Sequence, residues 1–504
     1  MTNCRRGRRA LFAIVLLLAG GSTAAASPDW SVRWHSAART TEFRGVELDS
    51  IPVADAVADA DGRLFTPDGY AVRCPAGSAW CYFYRAGDVE RSSPITSELD
   101  VSAWRLGVPG LRAKVSARAA GDPGDTAVWP GTDPAFRLRE GYLEWAHEFV
   151  EIRGGRQFDP GRFGFIQWDG GRLRVQGWNG RASAAVYGGL GLARGTSLSA
   201  TDPALDVLDE FRPADRQRVL GFEAAGVLPC ANVRAQYLRE IDPRAEDFVT
   251  ERFGAELDTR VGPVTVNAGS DWDLAFGEWG TAEIDATWRA HRLAAVSAGA
   301  RRYRPFFDLW TVWGAFSPVP YKATHASLAL GPWRTLTANG RFEHWTWDDT
   351  GTTIPLVVTE DDGKRFEGRL AWRPDDRWTV TGGLQRVENA GASIWGGDGS
   401  VGYRPAETLD LSLDFGRWDR PIELRYDDAE LTTWGGSVRW AAAPAVRFDL
   451  ALRHLDEVRD RPDASRVDWG TWNASLGLTV QLDSDRTRGV PPAVLRIPER
   501  QVPR

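Results

Sequence analysis

The sequence predicts an all-β fold: a large closed antiparallel transmembrane β-barrel of about 22 strands, within a range of about 18–22, with a small N-terminal periplasmic segment. The first observation behind it is the alternation of apolar and polar residues in segments about ten residues long, as in LDLSLDF at residues 409–415. The second is the rhythm of the connectors between these segments. No stretch is apolar and long enough for a spanning helix, so strands are the elements expected to cross a bilayer.

Tight and long connectors follow each other along the chain. A soluble β-sandwich has no reason to keep that rhythm, whereas outer-membrane barrels have short periplasmic turns and longer outer loops. The tight connectors lie at residues 108–110, 147–149, 178–180, 331–333, 374–376 and 443–444, and the long ones at residues 121–136, 159–170, 194–215, 305–321, 348–364 and 459–468.

Composition excludes several other classes of protein. Hydrophobic residues make up 43% and charged residues 26% of the 504-residue chain, which fits neither a disordered chain nor a bundle of apolar membrane helices. The formal net charge is -7. Removing an arginine-rich leader makes it about -11, so no basic surface for nucleic acid is expected.

The N-terminus has the layout of a secretory signal peptide. Four arginines between residues 5 and 9 precede a short apolar run, and three alanines at residues 24–26 form a cleavage site. We therefore expect residues 1–26 to be a Sec-type signal peptide. The destination of the exported chain is the Gram-negative outer membrane, if the remainder folds as a barrel.

The number of strands sets the domain boundaries. About 21 candidate strands lie between Thr96 and Leu482, and a barrel with both ends in the periplasm needs an even number. The first of them, from Thr96 to Leu106, runs inward toward a tight turn, so one outward strand must precede it. The aromatic segment from Trp80 to Arg85 is the candidate. The barrel then spans residues 80–482, residues 27–79 form a periplasmic or lumen-tucked segment, and residues 483–504 form a Pro-rich periplasmic tail.

The cysteines indicate a disulfide and no metal site. Cys74 and Cys81 enclose a short loop that can form a disulfide in an oxidising compartment. Cys230 is then an unpaired turn residue. The histidines are scattered singly along the sequence, so neither a metal nor another cofactor is expected.

Tryptophans cluster at the predicted strand ends, where amphipathic rings suit the headgroup level of a membrane. A soluble core could hold them equally well. They are Trp104, Trp145, Trp178, Trp272, Trp288, Trp372, Trp378, Trp434, Trp440 and Trp472.

Two stretches resemble known outer-membrane proteins. SLGLTVQL at residues 475–482 is similar to the C-terminal β-signal of Gram-negative outer-membrane barrels, although it ends in Leu and a tail follows it. IRGGRQ at residues 152–157, followed by WDGGRLRV at residues 168–175, resembles an early hairpin of porins and alginate-export-type barrels. The resemblance implies passive passage of small hydrophilic or polyanionic solutes.

If the apolar positions face lipid, their neighbours face the pore. Two arcs of opposite charge are then expected on the barrel wall, and opposed arcs would impose a transverse field on a passing solute. Paired charges that merely hold the wall together are the alternative. The basic arc comprises Arg112, Lys114, Arg118, Arg153, Arg172 and Arg174, and the acidic arc comprises Glu256, Asp258, Asp271, Asp273, Glu283 and Asp285.

Three functions remain open, and none of them is enzymatic, because no histidine has a recognisable nucleophile beside it. The first is a porin-like channel for passive diffusion of small hydrophilic, anionic solutes. The second is a dedicated exporter or importer of an anionic polysaccharide or sugar acid, and the third is a structural or surface-interaction barrel with a closed lumen. The expected partners are outer-membrane lipid, lipopolysaccharide and the assembly machinery, with a monomer favoured over an oligomer and no nucleic acid.

Overall fold

The computed structural model describes most of the chain between residues 28 and 484. The described ranges are residues 28–59, 62–123, 135–192, 216–241, 248–275, 277–304, 320–348, 362–389, 392–423, 427–460 and 468–484. The predicted signal peptide, the predicted loop at residues 194–215 and nearly all of the predicted tail lie outside these ranges.

Strands make up nearly all of the described structure. They are β1 (Asp29–Pro52), β2 (Val57–Ala58), β3 (Leu64–Phe65), β4 (Trp80–Ser92), β5 (Ile95–Trp104), β6 (Leu111–Gly121), β7 (Phe136–His147), β8 (Val150–Gly161), β9 (Gly164–Gly177), β10 (Ala182–Gly191), β11 (Arg218–Val227), β12 (Ala231–Ile241), β13 (Phe248–Val261), β14 (Val264–Asp273), β15 (Glu278–His291), β16 (Ala294–Tyr303), β17 (Tyr321–Trp333), β18 (Leu336–Trp347), β19 (Asp362–Trp372), β20 (Trp378–Asn389), β21 (Ala392–Ala406), β22 (Leu409–Glu423), β23 (Asp427–Ala443), β24 (Val446–Asp460) and β25 (Trp469–Asp483). A short 3-10 helix covers Val53–Asp55. In the described part of the chain, no helix has the length and apolar character needed to cross a membrane.

The strands from β5 to β25 follow one another around a single antiparallel sheet, and β1 closes it. Residues 31–40 of β1 pair with β25, and residues 29–38 pair with β5. The result is a closed antiparallel barrel of 22 strands. The predicted fold class and strand number are confirmed.

The first barrel strand does not lie where the sequence predicts it. The prediction that residues 27–79 stay outside the barrel is wrong, because Asp29 to Thr40 form the closing strand. The prediction that residues 80–85 begin the barrel is also wrong. Those residues belong to β4, which pairs with the outer half of β1. The period-two pattern is present in β1, but it is short and directly follows the leader, so it is easily overlooked.

β1 and β4 continue beyond the wall as a two-stranded ribbon, in which residues 41–52 pair with residues 80–92. The ribbon rises at the end of the barrel with the long connectors, opposite to the end where Asp29 and Asp483 lie. A disulfide between Cys74 and Cys81 ties its tip to the segment that connects β3 with β4. Cys230 is a free, exposed cysteine in the short turn between β11 and β12.

All but one of the long connectors that the sequence predicts are present, although short connectors, such as the one between Asn389 and Ala392, share their end of the barrel. Short turns such as the one between His147 and Val150 lie at one end, and long connectors such as the one between Tyr303 and Tyr321 lie at the other. The exception is the long connector expected at residues 159–170. β8 continues to Gly161 and β9 begins at Gly164, so a tight hairpin takes its place.

The barrel has an apolar exterior. Large side chains on the outward face of the strands are exposed, among them Leu143, Ile152, Leu413 and Leu450. Most of the tryptophans predicted to lie at the strand ends are exposed on this surface as well, for example Trp288. Trp104 departs from the prediction, since it pairs with Arg112 on the lumen face. The hydrocarbon core of a bilayer accepts a β-sheet only if the sheet has no open edge and its outer surface is apolar, and this barrel meets both conditions.

The hairpin of β8 and β9 leaves the barrel wall partway along these strands. β8 pairs with β7 only as far as Arg156, and β9 pairs with β10 only as far as Trp168. Among the described strands, residues 158–161 and 164–167 pair only with each other. We call residues 158–167 the hairpin tip.

Two side chains replace backbone hydrogen bonds that β7 would otherwise lose where β8 departs. Arg156 Nη1 donates to the carbonyl oxygen of Leu138 at 3.0 Å, and Gln167 Nε2 donates to that of Arg139 at 2.5 Å. Arg156 is itself held by Asp169, at 2.7 Å. Because buried carbonyl groups need partners, these contacts stabilise the opening in the wall.

A row of glycines lies where the hairpin departs. Gly155, Gly170 and Gly189 are paired across β8, β9 and β10. Gly155 has a φ of 127°, in the region that favours glycine. A Cβ atom on Gly170 would lie 2.1 Å from the carbonyl oxygen of Gly188. The strands therefore approach one another at a bend that side chains would obstruct.

Gly170→Val should destabilise the barrel, because its side chain would push β9 away from β10. We expect a loss of about 1–3 kcal/mol in the free energy of unfolding, the range found for overpacked sites. Chemical unfolding of the folded protein in detergent micelles measures it. Gly177→Val is the matched control on the same strand, since a Cβ there meets no atom within 4 Å. Equal stability of the two variants would contradict the role given to the glycine row.

Candidate functional site

Strand register identifies the side chains that share the lumen face, because paired residues of antiparallel strands point to the same side. Arg112 pairs with Glu144, Glu144 with Arg153, and Arg153 with Arg172, opposite to the exposed apolar face. All the residues predicted to line the pore share this face. They are Arg112, Lys114, Arg118, Arg153, Arg172, Arg174, Glu256, Asp258, Asp271, Asp273, Glu283 and Asp285.

The basic arc is interleaved with carboxylates that the sequence analysis did not include. Arg153 binds Glu144 at 2.7 Å and Glu151 at 3.3 Å, and only 6% of its side chain is exposed. Arg172 lies 3.0 Å from Asp159 and is equally buried. These arginines stabilise the wall and offer no free positive charge to a solute.

The remaining basic residues are also partnered. Arg112 Nη1 lies 3.3 Å from Glu144, and Lys114 binds Glu140. Arg174 donates to the hydroxyl of Ser183 at 3.3 Å. Arg118 also has interaction partners. Four of the six basic residues are thus ion-paired with carboxylates, as the alternative of paired charges that hold the wall together expects.

The hairpin tip lies inside the barrel and contacts the wall that carries the acidic arc. The backbone N–H of Arg162 donates to Oε1 of Gln236 on β12 at 3.1 Å. The ring of Phe163 lies 4.9 Å from the guanidinium of Arg252 on β13. The hairpin thus spans the inner surface from β9 to at least β13 and narrows the bore.

An apolar core forms beneath the hairpin, on the face that is otherwise polar. The rings of Trp168 and Tyr187 lie 4.7 Å apart, and Leu238 is fully buried. The sequence carries a signal for this contact: in β9 to β12, apolar residues occupy positions whose register faces the lumen. The buried cluster comprises Phe163, Ile166, Trp168, Tyr187, Val219 and Leu238.

Arg162 anchors the hairpin tip to three carboxylates of the acidic arc. Its guanidinium lies 3.2 Å from Glu283, 3.7 Å from Glu256 and 3.7 Å from Asp271. Only 8% of the Arg162 side chain is exposed. Arg252 adds a second positive charge, 2.6 Å from Asp271. Three of the six carboxylates predicted to line the pore therefore hold the hairpin, and two of these, Glu256 and Glu283, stay 38% and 43% exposed.

The other acidic residues of the arc lie outside this anchor. Asp285 Oδ1 is 2.7 Å from Nε2 of His325 on β17. Asp273 accepts a hydrogen bond from the backbone N–H of Ala275 at 3.1 Å. Asp258 also has interaction partners. Among the described residues, no three His, Cys, Asp or Glu side chains are grouped as a metal site would require.

The opposite side of the lumen carries exposed charges. The side chains of Arg369 and Arg439 are 63% and 61% exposed, and that of Asp398 is 40% exposed. Arg369 lies 3.4 Å from Asp398 and Arg439 lies 3.1 Å from Asp449, and both arginine side chains stay exposed beside these partners. Sequence reasoning did not select these residues, although the same alternation places them on the lumen face. The hydrated path therefore follows β18 to β24.

Comparisons with known proteins return only distant likenesses. No family model and no curated protein matches the chain. The siderophore receptor PirA from Pseudomonas aeruginosa is 11% identical, with 90% of this chain and 80% of that chain covered and a TM-score of 0.44. OccK3 (OpdO) from the same organism is 8% identical over 90% and 96% of the chains, with a TM-score of 0.38. OpdK, solved with vanillate, is 10% identical over 90% and 99%, with a TM-score of 0.37. Such likenesses carry no weight for function, and the fold stands on the strand pairing itself.

Replacing Arg162 should release the hairpin tip, because three neighbouring carboxylates would lose the charge that holds them. We expect Arg162→Ala to raise single-channel conductance and current noise, and Arg162→Glu to raise them further. Planar-bilayer recordings measure both. Arg386→Ala is the control, since this exposed arginine on the outward face of β20 forms an ion pair with Glu388, away from the tip. Conductance that stays at the wild-type level in both Arg162 variants would contradict the anchor.

Proposed function

We propose that the chain is an outer-membrane channel through which small hydrophilic solutes diffuse passively. The observation that carries the proposal is the arrangement of the lumen. A closed wall, apolar outside and charged inside, encloses a bore that a hairpin narrows on one side and exposed charges line on the other. Charged and hydrated walls let polar solutes pass where hydrocarbon would exclude them.

The proposed location is the outer membrane of a Gram-negative cell, reached through a Sec-type signal peptide. The apolar exterior supports a membrane location. The β-signal-like residues 475–482 lie in β25, the strand that closes the barrel against β1. This position suits recognition by the assembly machinery. Lipid and lipopolysaccharide would surround the outer surface of the barrel. We propose a monomer, since the sheet closes within one chain.

Charge selectivity is proposed to be weak. The sequence favours anionic solutes, but Arg153 and Arg172, two of the arginines that motivate this, are buried against carboxylates. On the exposed side, Arg439 and Arg447 share Asp449, at 3.1 and 3.2 Å. Solute size, set by the hairpin, would then be the main filter. No catalytic step is part of the proposal.

Bilayer recordings of the purified protein should show stepwise, ohmic conductance with nearly equal permeability for small anions and cations. Reversing two exposed lumen charges, Arg439→Glu and Arg447→Glu, should shift the reversal potential toward cation selectivity. Arg417→Glu is the matched control, because Arg417 pairs with Glu430 on the outward face.

The alternatives give different results. A barrel with a closed lumen would show no conductance steps in any variant, and this would overturn the proposal. A dedicated exporter of an anionic polymer would pass current only with strong anion selectivity. Equal shifts in the control and the lumen variants would show that the exposed charges do not line the path.

A further inference from the structure

We propose that a recess in the lumen wall between β17 and β22 binds neutral sugars of one or two rings. The inference rests on the proposed channel function and names a solute class for it. The recess has a volume of about 450 Å³, within the range of about 300–1,000 Å³ common for small-ligand sites. Its lumen-facing side chains include Asn339, Arg341, Glu367, Arg369, Gln385 and Asp398, with Trp418 at the edge.

A glycine lies at the floor of the recess. Gly383 pairs with Arg369 on one side and Asp398 on the other. A Cβ atom on Gly383 would lie 3.0 Å from Oδ1 of Asp398 and 3.4 Å from Nε of Arg369. The glycine therefore lets Arg369 and Asp398 approach each other directly above the backbone of β20, and a side chain at this position would push into the recess.

The polar groups of the recess are available to a ligand. The side chains of Asn339 and Gln385 form no hydrogen bond with any described residue. Arg369 and Asp398 are 3.4 Å apart, and Glu367 is 3.8 Å from Arg365. These contacts are longer than those of the buried arginines at the other wall, where Arg153 lies 2.7 Å from Glu144. Guanidinium, carboxylate and amide groups together both donate and accept hydrogen bonds, as hydroxyl-rich solutes require.

The charges of the recess balance. Each charged side chain of the recess has a partner of opposite sign: Arg369 lies 3.4 Å from Asp398, Arg341 lies 3.3 Å from Glu343, and Glu367 lies 3.8 Å from Arg365. A net anion or cation therefore gains little from the site. A neutral polyhydroxylated solute can use both signs, because each hydroxyl group donates to a carboxylate and accepts from a guanidinium. Charge therefore favours neutral sugars over sugar acids.

Trp418 supplies an apolar surface beside these polar groups. Two glycines leave room for its indole against the wall. A Cβ atom on Gly396 would lie 2.8 Å from Cε3 of Trp418, and one on Gly416 would lie 3.2 Å from its Nε1. The half-buried ring can pack against the C–H face of a pyranose while the hydroxyl groups meet the polar side chains.

Maltose titrated into bilayer recordings of the wild-type channel tests the proposal. We expect maltose to reduce the conductance in a saturable manner at millimolar concentration, with glucuronate and glycine much weaker. Trp418→Ala and Gln385→Ala should each weaken the block about tenfold or more. Gly383→Leu should abolish it by filling the recess. Gly402→Leu is the matched control on the lumen face of β21, where a Cβ meets only ordinary contacts at 3.7 Å and beyond.

The outcomes separate this inference from the proposed channel. A conducting channel that maltose does not block, or that glycine or glucuronate blocks better, would overturn the sugar site and leave the channel standing. Absence of conductance would overturn the channel. In that case a saturable change in tryptophan emission on titration with maltose in detergent still tests the recess: a change that Trp418→Phe removes supports it, and no change contradicts it.

Discussion

Closure of the backbone hydrogen-bond ladder is the constraint on which the rest of the structure depends. In hydrocarbon an unpaired peptide group costs several kcal/mol, so an open sheet edge cannot face lipid. β1 removes both edges at once, since its inner half pairs with β5 on one side and β25 on the other. Once the wall is closed, the alternation of side chains fixes an apolar outer face and, outside the apolar core beneath the hairpin, a largely polar inner face.

The same constraint explains how a hairpin can leave the wall. Where β8 and β9 turn inward, Arg156 and Gln167 bind carbonyl groups that would otherwise be unpaired. Inside the lumen, the tip is held by an apolar core and by Arg162 among three carboxylates. The hairpin divides the lumen into a filled side and an exposed side, and both proposals about solutes concern the exposed side.

Local patterns in the sequence predict the barrel well. The alternation, the connector rhythm and the strand number can each be inferred from residues that are close together in the sequence. All the residues predicted to line the pore lie on the predicted face. Whether a lumen charge is free depends instead on distant residues. Arg153 and Glu144 pair across strands, and Arg162 meets Glu283 across the lumen. No local pattern reports such contacts, so alternation alone does not show which of the lumen charges are paired. Residues 29–40 carry the right alternation, but only the need for a partner on both open edges shows that they close the barrel.

Amide hydrogen exchange of the folded protein in micelles, resolved by peptide fragments, tests closure by β1 most directly. The structure predicts slow exchange in residues 29–40, comparable with β20 in the middle of the wall. The ribbon residues 80–86 of β4 should exchange much faster, because a two-stranded ribbon has few neighbours. Exchange in residues 29–40 as fast as in the ribbon would contradict a closed barrel of 22 strands.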